Sequence, residues 1–254
     1  MSQSSKLVLL ASVAMVLCCS SARAKAQTVT MGVEVRAVRL APDSRSAVVD
    51  LTNTSTKDVS AYAFAYDLTF LDGHHEKGER LVEYLQGIIA SQQALGTRWS
   101  GQGVFHPGDS REELFTMSQD APVTGMTADV NVVIYMDQTA DVRNEDAFNL
   151  LVSDRKATAQ AAKTEASILE AAIDDESDLH PLQTAKTKLQ AALTTGGPNS
   201  SLTAKAELEG VIDNLEAMQK RSKGNPREEL KAYVLRKNRQ QLITTEHSLI
   251  RRQQ

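Results

Sequence analysis

The sequence predicts a segregated α+β chain: an antiparallel β-sandwich of about seven strands, then a C-terminal region of three to four helices. Three observations predict it. From Thr28 to about Asp137 apolar residues recur at every second position, the period of a strand with one buried face. After Asp141 the period lengthens to that of a helix. Aromatic residues make up only 4% of the chain, and beyond residue 150 the single example is Tyr233, which marks a change of architecture.

The strands come first. Val29, Met31, Val33 and Val35 alternate with Thr28, Thr30, Gly32 and Glu34. Ala47–Leu51 follows and closes at the polar cluster Asn53–Asp58, a turn signal. The clearest strand has Tyr62, Phe64, Tyr66, Leu68 and Phe70 on one face and the small or polar Ala61, Ala63, Ala65, Asp67 and Thr69 on the other. Asp72-Gly73 then marks a hairpin turn, and His74 and His75 are expected at its tip. Shorter candidates are Glu79–Leu85, Gln102–Phe105 and Glu112–Met117, before a long strand at Thr127–Met136. Tyr84–Ala94 is ambiguous, a short helix bridging the sheets being one reading. No helix-length crossover separates successive strands, which favours antiparallel pairing.

Asn144 is placed to cap the first helix, with Glu145 and Asp146 in its first turn complementing the helix dipole. That helix is expected to run to about Ile173, where the acidic stretch Asp174–Asp178 interrupts it. Pro181 opens a second helix bearing Leu182, Ala185, Leu189 and Leu193. Residues 194–200 (TTGGPNS) form the strongest breaker in the chain. A third helix carries Leu208, Val211, Ile212, Leu215 and Met218. Asn225, Pro226 and Glu228 read as N-cap, first-turn proline and acidic member of a capping box. The fourth helix then carries Leu230, Val234, Leu242, Leu249 and Ile250. Its stripe and that of the third are narrow. Each must pack on the other, on the sandwich, or on another chain, a second copy of this one included.

The N-terminus predicts export. Lys6 precedes an apolar run, Leu7–Cys19, of about 13 residues, the length of a signal-peptide core and shorter than the roughly 20 residues that span a bilayer. Ala22-Arg23-Ala24 and Ala24-Lys25-Ala26 offer overlapping small-x-small cleavage sites. The expected organisation is therefore a signal peptide at 1–26, a sandwich at 27–142 and a helical region at 143–254. Both cysteines lie in the signal, so the mature chain holds no disulfide and no thiol nucleophile. A secreted or periplasmic location follows, with no transmembrane segment left after cleavage.

Val48–Gly73 (VVDLTNTSTKDVSAYAFAYDLTFLDG), followed by Phe105-His-Pro-Gly-Asp-Ser110, resembles bacterial extracytoplasmic immunoglobulin-like modules of the FxLYD type. In those modules an Asn-Thr-Ser turn leads into a long strand ending in Asp-Gly, and a later Pro-Gly turn precedes another strand. The likeness covers about residues 28–137. It departs from the pattern where the long strand ends in Thr69-Phe70-Leu71-Asp72. The resemblance implies an immunoglobulin-like sandwich and a non-enzymatic role, and it brings no catalytic residue. The helical region carries no such resemblance.

Candidate sites are few. His74, His75 and Glu76 are metal-ligand types, but adjacent side chains on an extended loop diverge, and a solvated loop is the expectation. Asp137, Thr139 and Asp141 have the spacing that opens a calcium loop, yet Val142 and Phe148 stand where an EF-hand needs Gly and Glu. No Gly-x-Ser-x-Gly, phosphate-binding loop or dinucleotide fingerprint occurs, and His106 and His180 lack a motif joining them to a nucleophile. No cofactor is expected.

Charge is more informative. Residues 27–142 carry 8 basic and 16 acidic side chains. The segment 218–254 reverses that balance with Lys220, Arg221, Lys223, Arg227, Lys231, Arg236, Lys237, Arg239, Arg251 and Arg252 against three glutamates. Such a tail suits an anionic surface or another envelope or extracellular protein. Nucleic acid is not expected of an exported chain whose basic segment lacks stacking aromatics. The leading expectation is a non-enzymatic exported protein that makes protein or surface contacts. A carbohydrate-binding module using Trp99, Tyr62 or Tyr66 is the alternative, and a hydrolase built around His106 and two carboxylates is the third reading.

Overall fold

Among the described residues there are eight strands, the longer ones built by alternation of large apolar side chains with small or polar ones: β1 (Val33–Leu40), β2 (Ser46–Asn53), β3 (Val59–Phe70), β4 (His75–Glu83), β5 (Ser110–Thr116), β6 (Val123–Tyr135), β7 (Thr139–Val142) and β8 (Arg251–Arg252). The computed structural model describes residues 30–41, 46–85, 104–116, 122–195, 201–221 and 224–253. The expected signal peptide, Trp99, Lys223, the Tyr84–Ala94 stretch beyond Leu85 and the breaker beyond Thr195 lie outside the described residues. The strands form two sheets, ordered β1-β2-β5 and β4-β3-β6-β7-β8. Every neighbouring pair is antiparallel except β7 and β8, which run parallel.

The sheets face each other across a shared core. Val33, Val49 and Leu51 from the first meet Tyr62, Phe64, Val130 and Val133 from the second, with Phe105 held by an isolated bridge to Val59. Asn53 is fully buried at the rim and fully used. Its amide donates to the carbonyls of Lys57 and Phe105, both at 2.8 Å, and its oxygen accepts from the Ser55 amide and hydroxyl. A buried polar side chain satisfied in this way fixes the chain around it.

Among the described residues four helices follow β7: α1 (Glu145–Asp174), α2 (Pro181–Thr195), α3 (Leu202–Arg221) and α4 (Pro226–His247). The chain is thus α+β, with a sheet region followed by a helical region. Asn144 caps α1 as predicted, accepting from the Asp146 and Ala147 amides. A bulge positions that entry. Phe64 pairs with Val130 and Ala63 with Val132, leaving Asn131 extra, and the Asn131 carbonyl accepts from the amides of Arg143 and Asn144. The helices share a second core of Leu169, Leu182, Ala185, Leu189, Val211, Leu215, Leu230 and Val234.

A third apolar cluster joins the two regions. Ala61 and Ala63 of β3, with Val132 and Ile134 of β6, lie under Ala147, Phe148 and Leu151 of α1. The face of β3 expected to be its small, polar side is therefore a helix-docking face, where alanine lets α1 approach closely. Burying Phe148 and Leu151 there contributes about 1.5–3 kcal/mol each.

Among the described residues the sheets hold eight strands against the seven or so expected, the additional one being β8, residues 251–252, which returns to β7. Two expectations need correction. The hairpin turn is Leu71–Gly73, with Gly73 at φ 84°, and β4 already begins at His75. In α4 the buried row is Leu230, Tyr233, Val234, Gln240, Ile243, Thr244 and His247, while Leu242 points outward and Leu249 and Ile250 lie beyond the helix end. Polar residues at the buried positions erased the apolar stripe from which the face was read.

Candidate functional site

The predicted metal candidates separate. His74 Nδ1 lies 2.7 Å from Asp72 Oδ1 with its ring stacked on Phe70, whereas His75 Nδ1 lies 2.8 Å from Asp67 Oδ1. Glu76 projects from the other face of β4. Among the described residues no group of three or more His, Cys, Asp or Glu side chains is placed to hold a metal ion. The Asp137–Asp141 stretch turns into β7, and its carboxylates are engaged within the chain. Asp137 takes Lys57 at 2.8 Å and the Thr139 amide, and Asp141 Oδ2 takes the Gly32 amide and the Tyr135 hydroxyl.

The catalytic and carbohydrate candidates are also dispersed. His106 sits on an exposed turn, its Nδ1 2.8 Å from Asp58 and its amide donating to Asp109. Tyr62 is fully buried and donates to Glu113, so it offers no face to a sugar. Tyr66 packs its ring edge on Phe115.

The basic segment divides into inward and outward groups. Arg227 reaches the C-terminal end of α1 and donates to the carbonyls of Ile173, Asp175 and Asp178, where a cation complements the helix dipole. Lys237 is half-buried between helices. Arg252 forms a two-pronged pair with Glu145 and lies over the Phe148 ring. Arg227, Lys237 and Arg252 hold the fold. Lys220, Arg221, Lys231, Arg236, Arg239 and Arg251 are exposed, Lys231 pairing with Glu228 at 2.8 Å, so that Glu228 side chain serves an ion pair rather than a capping box.

Two buried polar constellations escaped the sequence reading. The first joins bundle to sandwich. Arg155 of α1, 1% exposed, donates from Nε to Glu83 Oε2 at 2.7 Å and from NH2 to Glu83 Oε1 at 2.9 Å. It also donates to the Ser60 hydroxyl and the His247 carbonyl. Burial, then the Arg155 charge, hold the His247 imidazole below its ordinary pKa.

The second lies inside the bundle. Lys237 Nζ stands 2.8 Å from Glu207 Oε1 and 3.2 Å from Glu165 Oε1, with Gln240 bonded to both Lys237 and Glu207. Glu165 is 1% exposed and accepts no hydrogen bond from the described residues. Burial pushes its pKa up to about 7, with Lys237 opposing and Glu207 reinforcing the rise. Burial opposes the Lys237 charge, but the two glutamates outweigh it and raise its pKa. The signal for both constellations is a row on α4, Lys237, Gln240, Thr244 and His247, polar at helical spacing.

No family model matches the sequence, and no curated protein is similar to it. Among solved structures, a hypothetical protein from Peptoclostridium difficile 630 is similar at 15% identity over 49% of this chain and 92% of that one, with a TM-score of 0.28. A likeness at that level carries no argument about fold or function. Among the described residues no helix is long and apolar enough to cross a membrane.

Proposed function

We propose that this chain is a non-enzymatic extracytoplasmic contact protein, an immunoglobulin-like module joined to a helical bundle that supplies the contact surface. Strand order supports the module: β1-β2-β5 faces β4-β3-β6-β7, in which the fourth strand pairs with the third, with the two-residue β8 added at the β7 edge to make the second sheet five-stranded. The two turns that carry the family resemblance touch each other, since the Gly108 amide donates to the Asn53 carbonyl and the Asn53 amide to the Asp109 carbonyl. Export rests on the N-terminal apolar segment and its small-residue cleavage sites.

The observation that carries the contact role is the set of exposed cations on the last two helices, Lys220, Arg221, Arg236 and Arg239, together with the exposed Leu235 and Leu242 on the second of them. Cations left in solvent offer an anionic partner a charge to dock on, and the outward leucines add apolar area to it. The fitting partner is another envelope or extracellular protein, or an anionic surface. Removing residues 222–254 would strip Leu230, Tyr233 and Val234 from the bundle core, so truncation is a poor test. The better one reverses Lys220, Arg221, Arg236 and Arg239 to Glu and follows the tagged chain through fractionation of its native cells. Release of the variant into the soluble extracytoplasmic fraction, with unchanged helicity, is the expected result. Identical retention of both proteins, or recovery of the chain from the cytosol, would refute the reading.

A further inference from the structure

We infer that the outer face of α4 is a self-association seam, pairing antiparallel with the same helix of a second copy of this chain. This rests on the reading of the helical region as the contact-making part and names its partner. Leu235, Leu242 and Leu249 stand at seven-residue spacing and are 74%, 71% and 61% exposed. Ser248 keeps helical backbone angles, φ −82° and ψ −13°, and the Leu249 amide donates to the Glu246 carbonyl, so the row continues past the end of the helix. Ala232, Arg239 and Glu246, all exposed, repeat at the same interval between the leucines. Single outward leucines need no explanation, but three at seven-residue spacing, with Ala232, Arg239 and Glu246 three and four residues away, make a narrow apolar row edged by charge that a second helix can cover. The inward face of α4, with Leu230, Tyr233 and Val234, is already spent on the bundle core. The outward row is thus a second seam on the same helix.

Charge selects both partner and direction. In a parallel pair the repeat sets Arg239 against Arg239 and Glu246 against Glu246, like on like. An antiparallel pair about a two-fold axis brings Arg239 of each copy beside Glu246 of the other, twice, while the leucines pack against the opposing row. A closed, self-complementary interface of this kind needs no other protein.

Sedimentation equilibrium of the purified chain tests it. The wild type is expected as a reversible dimer, and Leu242→Asp as a monomer with the same far-UV helicity, because the leucine lies outside the bundle core. Arg239→Glu and Glu246→Arg should each weaken the dimer about tenfold or more, and the double exchange should restore it. A wild type that is monomeric at every concentration overturns the inference, as does a dimer indifferent to Leu242→Asp. A monomeric wild type whose melting point falls on Leu242→Asp also overturns it, since the row would then be covered by its own chain. A monomer still retained by the envelope sinks the self-pairing and leaves the contact role standing.

Discussion

Arg155 and Glu83 meet through two parallel hydrogen bonds, of 2.7 and 2.9 Å, between a helix of the bundle and an edge strand of the second sheet. The pair fixes both distance and rotation, because a guanidinium fork matches a carboxylate in one plane. Ser60 and the His247 carbonyl take further donors from Arg155, so one side chain ties β3, β4, α1 and the end of α4 together.

Arg155→Met should therefore cost about 3–5 kcal/mol, the usual penalty for stripping one partner from a buried ion pair. Lysine should not rescue it, since an ammonium cannot reproduce the fork. Urea unfolding measures the loss. The variant should also unfold in two steps, tyrosine signals of the sandwich separating from helical ellipticity, because the joint makes the regions cooperative. Coincident transitions in Arg155→Met would show that the apolar contact at Phe148 and Leu151 suffices.

Glu165 sets a pH dependence whose sign is fixed by its raised pKa. The folded chain holds this proton up to about pH 7, whereas the unfolded chain releases it near 4.5. The folded state thus binds the proton more tightly in that window. Its contribution is complete below pH 4.5 and declines as the pH climbs through 7. The full change is on the order of 3 kcal/mol. Lys237 titrates far above this range and leaves it undisturbed. Glu165→Gln should flatten the stability profile between pH 5 and pH 8 and match or exceed the wild type at the upper end. Denaturant titrations at those two values decide it, and parallel profiles for the two proteins would refute the assignment.

The sandwich was legible because its signals are local. Alternation put Tyr62 and Phe64 inward, and Asn144 announced its helix. The docking of the bundle was not legible, for a physical reason visible at β3. Ala61 and Ala63 read only as the small or polar face of the strand, yet smallness is what lets a helix lie close to a sheet, and both are fully buried. In α4 the row Lys237, Gln240, Thr244 and His247 faces inward because its partners Glu165, Glu207 and Arg155 come from other helices. A sequence shows that a side chain is polar, and only the fold shows that its partner is near. The histidine pair failed differently, since a turn one residue shorter put His75 into β4.

His247 titrates in the opposite sense to Glu165. Burial and the Arg155 charge keep its imidazole neutral below the ordinary 6.5, so the unfolded chain binds the acid proton first. Stability is lost as the pH falls from 6.5 through the folded value. NMR of the imidazole should show His247 titrating below the ordinary 6.5 in the wild type. In Arg155→Met its pKa should move up, because one of its two depressing causes is gone. An unchanged titration in that variant would leave burial as the whole cause.

Gly32 and Tyr135 form the last contact with a testable consequence. A Cβ on Gly32 would stand 2.0 Å from the Tyr135 hydroxyl and 2.9 Å from Ser55 Cβ, far inside contact distance. The backbone has no room to retreat, because the Gly32 carbonyl accepts from the Thr54 and Ser55 amides and its own amide donates to Asp141. The tyrosine must therefore move, giving up its bond to the Asp141 carboxylate inside the sandwich rim. Gly32→Ala should cost about 1–3 kcal/mol by overpacking. Tyr135→Phe removes the obstructing oxygen, so the same glycine substitution should cost clearly less in that background. A double-mutant cycle on urea midpoints reads the difference as a coupling energy between the two sites. Strict additivity would mean that Gly32 is required by its neighbour Ser55 instead, and Ser55→Gly would then be the variant that relieves the clash.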